Sequence, residues 1–319
     1  MYFPAAFELP RAIELARLVQ QPYDLLDSFR KGTHWTLQGN YSLVSDLACE
    51  SFAARSSRES ASLLDAELME LAKSANKGAS ILPIGFVAED ERNIYVVFRG
   101  TMTIAEWFRN LNVRLADYIY PGHGKVHDGL IKTYKVIRKT VLQILTELDP
   151  GKKLFLAGHS VGAGLVCLAS LDIMRATRFK APRVYTYASP RVGDGRLAHA
   201  YNTALVNRSF RIVNTSDAVV SLPLPGPILG VFGGYFTHVD TPVDFTIQND
   251  DMEKNHVIER YLSALIAARR ERGIVSKVLR WRPAHLWHRS QGEADGAFQE
   301  GIQGRQGFQL RAVVRFCPE

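Results

Sequence analysis

A serine set between glycines, Gly158-His159-Ser160-Val161-Gly162, fits the pattern G-x-S-x-G. It follows the apolar run Leu154-Phe155-Leu156-Ala157 directly and precedes a stretch of helical character from about Gly162 to Ala176. A serine hydroxyl is a weak nucleophile unless it is held exposed beside a base. A strand-to-helix turn holds it so only where its neighbours are small. Gly158 and Gly162 meet that demand, and Ala163 with Gly164 lets the helix lie close to a sheet. The chemistry such a turn can do is acyl transfer, with Ser160 as the attacking group.

A nucleophile of this kind needs a base and an orienting acid, which on such a sheet follow in the order Ser, Asp or Glu, His. His199, His238 and His256 lie downstream. His199 falls inside an expected helix and reads as a surface residue. His238, after Gly233-Gly234-Tyr235-Phe236, reads as part of a strand with a packing role. His256 follows the polar turn Asn249-Asp250-Asp251 at the edge of the last helix, where an imidazole can move, and it is favoured over His238. For the acid, Asp217 stands just past the carboxyl end of the strand-like run Ser209 to Asn214. Its rival, Asp194, suits the amino-terminal cap of the following helix. An acid that fixes a histidine tautomer must itself be held in place, which favours Asp217.

The oxyanion that forms on an acyl carbon needs two backbone donors, one from the residue after the nucleophile and one from a loop after an earlier strand. Val161 would supply the first and Thr101, in Arg99-Gly100-Thr101 at the end of Asn93 to Phe98, the second. On three residues alone, that segment is equally a plain turn.

The elements that must position these groups alternate. Residues 1–75 read mainly as helix, from the spacing of Ile13, Leu15, Ala16, Leu18 and Val19 and of Leu63, Leu64, Leu68 and Leu71. Ile81 to Ala88 and Asn93 to Phe98 are β-branched and aromatic runs joined by the polar Glu89-Asp90-Glu91-Arg92, which predicts two strands and a hairpin. Asp128 to Leu148 is an amphipathic helix. Strands are expected at 154–157, 183–188 and 209–214, with helices near 197–205 and over Met252 to Ala268. Strands alternating with helices of this length imply an α/β sheet covered on both faces.

The 319 residues are 46% hydrophobic and 22% charged, ordinary globular composition that excludes collagen, coiled coil and full disorder. The formal charge of +7 is concentrated at the end: residues 268–319 hold ten basic and five acidic side chains. The basic excess therefore describes a tail rather than a nucleic-acid-binding body. Cys49, Cys167 and Cys317 are too few and too scattered for a disulfide framework. The first residues lack a basic region and a long apolar run, and there is no unbroken apolar window long enough to span a bilayer. The location expected on these grounds is cytoplasmic or peripherally membrane-associated, with export by another route left open.

Six segments in order carry a resemblance: Val97-Phe98-Arg99-Gly100-Thr101 followed by Trp107; Lys125-Val126-His127-Asp128-Gly129; Gly158-His159-Ser160; Ser189-Pro190-Arg191-Val192-Gly193-Asp194; Asp217 ahead of Leu222-Pro223; and His256 with Tyr261. Together, from about Ile81 to Leu265, they resemble the class 3 lipases, the fungal-type triacylglycerol lipase family. The resemblance implies an α/β-hydrolase fold with a central, mostly parallel sheet flanked by helices. It also implies a triad of Ser160, Asp217 and His256, with oxyanion donors at Thr101 and Val161. It makes Met102 to Asn112 a short lid with Ile104, Trp107, Phe108 and Leu111 on its apolar face. The elbow departs from many members in having Val161 where they have Leu.

Three parts are expected: a helical region over 1–75 packing on the catalytic domain, the catalytic domain over 76–270, and a basic, partly disordered tail over 271–319. The apolar loop Leu222 to Phe236, with Ile228, Leu229 and Phe232, is a further candidate for contact with acyl chains or a lipid surface. His123 and His127 are four apart, as zinc ligands on a helix can be, but the glycines around them and the lack of a third ligand favour structural roles. No cofactor is inferred, because triad hydrolysis needs only water as second substrate.

The function expected is a serine carboxylic ester hydrolase acting on acylglycerols at an oil-water or membrane interface. A phospholipase or short-chain esterase on the same fold competes with it, as does an inactive scaffold binding partners or lipid surfaces. A nucleic-acid binder has only the charged tail in its favour.

Overall fold

The computed structural model describes residues 1–50, 81–101, 114–225 and 235–280. A compact unit runs over Met1–Gly273; the second, Ile274–Glu319, is described only as far as residue 280. The strands are β1 (Ser42–Glu50), β2 (Ile81–Glu89), β3 (Asn93–Phe98), β4 (Leu115–Asp117), β5 (Lys125–His127), β6 (Lys153–His159), β7 (Arg183–Tyr187), β8 (Ser209–Asn214) and β9 (Thr241–Phe245). The helices are α1 (Leu9–Lys31), α2 (Asp128–Glu147), α3 (Val161–Ala176), α4 (Gly195–Ala204), α5 (Met252–His256) and α6 (Ile258–Arg280), with a 3-10 turn at Ala218–Ser221.

Seven strands form the main sheet in the order β1-β2-β3-β6-β7-β8-β9; β4 and β5 make a separate pair. From β3 to β9 every pairing is parallel, while β1 and β2 join antiparallel. Successive side chains of a strand point to opposite faces, and in the central strands both faces are buried. Ile94, Val96 and Phe98 of β3 and Leu154 and Leu156 of β6 enter the core shared with α2 and α3. Tyr95, Val97, Phe155 and Ala157 enter the opposite core, under α1 and α6.

α1 carries Leu15, Ala16, Leu18, Val19 and Leu26 fully inside, and it ends at Gly32, whose left-handed φ of 65° lets its amide reach the carbonyl of Phe29. On the other face Asp172 of α3 is completely buried yet fully matched. Arg138 of α2 grips both its oxygens, at 2.7 and 3.0 Å, and the hydroxyls of Tyr134 and Tyr120 donate to them.

The helical reading of residues 1–75 needs correction. α1 is where it was expected, but 42–50 is a strand that extends the sheet beside β2. The apolar repeat at Leu63 to Leu71 and the tail beyond 280 lie outside the described residues. The last helix is also not continuous. It breaks at Val257, with φ −61° and ψ 141°, leaving α5 as a five-residue helix that ends on His256.

Candidate active site

In a parallel sheet the carboxyl ends of the strands are where loops converge on a site. Here the ends of β3, β6 and β8 bring Gly100, Ser160 and Asp217 to one edge. Ser160 sits at φ 58° and ψ −124°, a left-handed conformation that a serine adopts only when its surroundings force it. Its amide donates to the carbonyl of Tyr187 at 2.9 Å, and its own carbonyl accepts from Ala163 to begin α3. A Cβ added at Gly162 would collide with the carbonyl oxygens of Arg99 and Phe98, and one added at Gly158 with the carbonyl of Gly162. Both glycines are therefore required by contact with backbone, which has nowhere to retreat. A Cβ at Gly100 would come within 2.7 Å of that of Ser160, so the end of β3 lies directly against the serine.

Asp217 is 1% exposed and every oxygen is engaged. Oδ1 accepts from the amide of Val219 at 2.9 Å. Oδ2 accepts from His256 Nδ1 at 2.7 Å and from the hydroxyl of Tyr261 at 2.6 Å. A neutral imidazole that gives its Nδ1 proton to a carboxylate keeps a lone pair on Nε2. That Nε2 is buried and has no hydrogen-bond partner among the described residues, Ser160 Oγ included. Catalytic contacts of this sort often close only when substrate is bound.

The loop carrying His256 is pinned by two asparagines. Asn214, at the end of β8, donates to the carbonyls of Ile247 and Asn255 at 2.9 and 3.0 Å. Asn255 donates to the carbonyls of Ser216 and Asn249 and accepts from the Asn249 amide at 2.8 Å. His159 adds a further tie, its Nε2 lying 2.7 Å from the carbonyl of His256.

Of the three candidate bases, Asp217 meets His256 alone. His199 is exposed on α4. His238 lies outside any strand, contrary to expectation, and burial together with Arg211 and Arg191 pushes its pKa down to about 3. Asp194 accepts from the amide of Leu197 and caps α4. His127 caps α2 by accepting from the Gly129 amide, and burial pushes its pKa down to about 4. Among the described residues no three metal-ligating side chains cluster.

Val161 is buried as the first residue of α3, where backbone amides lack partners within the helix, and Thr101 is the last described residue after β3. The lid candidates Ile104, Trp107, Phe108 and Leu111, and Ile228, Leu229 and Phe232 of the apolar loop, lie outside the described residues. Sequence reasoning missed the parts of Asn214, Asn255 and Tyr23. The asparagines at least adjoin the acid and base segments, whereas Tyr23 is 136 residues from its partner His159.

Residues 95–226 match the family model described as Lipase (class 3). The secreted mono- and diacylglycerol lipase A of Penicillium cyclopium is 34% identical over 151 residues, covering 44% of this chain and 47% of that protein. A lipase of Rhizomucor miehei is 32% identical over 142 residues, 42% of this chain and 39% of the relative. A rice protein (Oryza sativa subsp. indica) named phospholipase A1 EG1, chloroplastic/mitochondrial, is 28% identical over 232 residues, 59% of this chain and 53% of its own. The chain thus spans about half the length of these relatives or less. Among solved structures, a lipase from Rhizopus microsporus var. chinensis aligns over 78% of both chains with a TM-score of 0.55 at 20% identity, which shows the fold. The triacylglyceride lipase of Rhizomucor miehei aligns over 74% of this chain and 78% of that one, with a TM-score of 0.52 at 22% identity.

The expected cytoplasmic or membrane-peripheral location is overturned by the Penicillium and Gibberella relatives, which are named as secreted lipases. The first residues are poor evidence in either direction because they serve packing. Phe3 stacks on Phe7, which in turn meets Tyr185 and Phe210 in the core. Residues 95–226, which span the serine turn between β6 and α3, are thus similar to the class 3 lipases, and the parallel sheet flanked by helices is an α/β-hydrolase fold.

Proposed function

We propose that the protein is a serine carboxylic ester hydrolase acting on acylglycerols, with Ser160 as nucleophile, His256 as base and Asp217 as the acid that orients it. The observation that carries this reading is the Asp217–His256 pair, 2.7 Å apart, which leaves a buried imidazole nitrogen without a hydrogen-bond partner among the described residues, its ring 4.7 Å from that of His159, the residue before a serine held in left-handed conformation.

In the proposed reaction, Ser160 Oγ attacks the ester carbonyl carbon while Nε2 of His256 takes its proton. Amides of Val161 and Thr101 receive the resulting oxyanion. The imidazolium then gives its proton to the departing alkoxide oxygen, leaving an acyl-serine and a free alcohol. Water repeats the sequence on the acyl-enzyme and releases the carboxylic acid. The carboxylate of Asp217 stabilises the imidazolium without taking its proton. The apolar residues of 104–111 and 228–232 are proposed to meet the acyl chains or the lipid surface, a reading that rests on their composition and order in the chain.

A second reading, phospholipase A1 action, is favoured by the rice relative, whose match is the longest of those described. Hydrolysis of diacylglycerol and of phosphatidylcholine, measured side by side with a soluble short-chain ester, separates the two. Ser160→Ala and His256→Ala should each abolish most turnover on the preferred substrate while the fold persists, and the double variant should lose little more, because groups acting as a unit are not additive. Substantial hydrolysis by Ser160→Ala refutes the reading.

A further inference from the structure

Tyr23 belongs to α1, outside the segment that matches the lipase family. Its hydroxyl lies 2.7 Å from Nδ1 of His159 and accepts the amide of Gly100 at 2.8 Å. The direction of each bond follows from one constraint. The other nitrogen of His159, Nε2, faces the carbonyl of His256, which can only accept. Complete burial, with His256 adding to it, holds the His159 pKa well below its usual value, so the ring is neutral and carries a single proton. That proton is on Nε2. Nδ1 is therefore an acceptor, and Tyr23 must donate to it while receiving from Gly100.

The result is a directed chain: Gly100 N–H to the Tyr23 oxygen, Tyr23 O–H to His159 Nδ1, and His159 Nε2–H to the His256 carbonyl. We propose that Tyr23 is a positioning residue that uses this one hydroxyl to hold the end of β3, the serine turn and the backbone of the base in mutual register. The inference rests on the proposed ester hydrolysis for its kinetic consequence, but the bonds stand apart from it. Gly100 precedes Thr101, so fixing the Gly100 amide orients the next peptide, which carries the proposed oxyanion donor. His159 precedes Ser160. The space is tight as well, since a Cβ on Gly100 would lie 2.8 Å from the Tyr23 oxygen.

Tyr23→Phe removes the hydroxyl and keeps the ring. Active sites are counted first, by titrating Ser160 with a fluorophosphonate, so that loss of folded protein is separated from loss of rate. On a soluble short-chain ester, kcat per titrated site should fall about 10- to 100-fold, as expected for a displacement of an ångström or less, with KM within about twofold. The rate constant for phosphonylation should fall in parallel, and hydrogen exchange at the Gly100 amide should accelerate. An unchanged kcat per titrated site overturns the proposal even if the melting temperature drops, and so does a change confined to KM. A wild-type Ser160 inert to the fluorophosphonate would overturn the hydrolase reading and the positioning role with it, whereas equal reactivity in the two proteins overturns only the latter.

Discussion

Asp217→Asn tests the site at its most constrained point. The native carboxylate accepts three bonds, from Val219 N on Oδ1 and from His256 Nδ1 and Tyr261 Oη on Oδ2. An asparagine that keeps its oxygen facing the Val219 amide must put its NH2 where Oδ2 was, against two donors. Relief requires Tyr261 to turn its hydroxyl away and His256 to move its proton to Nε2. The imidazole then presents a proton, not a lone pair, to the serine. The expected effect is a kcat loss of about 10⁴, roughly 5.5 kcal/mol in the barrier, the size associated with the wrong tautomer in a triad. The opposite amide rotamer would keep the imidazole correct but set the NH2 against the Val219 N–H. Two donors in a site 1% exposed leave one unsatisfied, at about 1–3 kcal/mol. Steady-state hydrolysis of a soluble ester measures the loss, and a thermal melt confirms that the fold survives. A kcat within tenfold of wild type with no loss of stability in the melt would refute the assignment of Asp217, since the rotamer that spares the imidazole must show the cost of the buried donor pair.

Two further outcomes concern stability. His127 has its folded pKa depressed to about 4 from an ordinary 6.5, so the unfolded chain binds more protons between those values. Its contribution is complete above pH 6.5 and declines as pH falls toward 4, by about 3 kcal/mol in all. His127→Asn keeps a capping acceptor without titrating and should flatten this acid limb in urea melts; an unaltered slope between pH 6.5 and 4 refutes it. Arg138→Met leaves buried Asp172 with only hydroxyl donors. It should lower the unfolding free energy by about 3 kcal/mol, and a loss below about 1 kcal/mol would show that the tyrosines suffice.

What could be read in the sequence was whatever is local. Ser160 announces itself by its glycines and its place between strand and helix, and Asp217 by standing just past a strand. His256 was legible as a loop-edge histidine, though the helix containing it was expected to run on unbroken. Strand β1 was not legible, and its register gives the reason. Shifts between Leu43 and Ser45 and between Leu47 and Ala48 interrupt the period of two that marks a strand. The ties of Tyr23, Asn214 and Asn255 follow no period at all. They are single hydroxyl and amide bonds whose partners are chosen by the folded sheet, so no spacing in the chain records them.

The position of α1 also bears on how the chain assembles. Its apolar stripe is covered by strands β2, β3, β6 and β7, all later in the chain, and Tyr187 of β7 bonds the carbonyl of Ala12 from 175 residues away. Until β7 has been synthesised, this stripe has no complete partner surface. Contacts of such sequence separation close slowly, and they leave apolar side chains open to association in the interval. A helix whose partner lies 175 residues further along must therefore keep its apolar stripe open while every strand between them is made, which makes α1 a surface that a chaperone of the nascent chain would recognise.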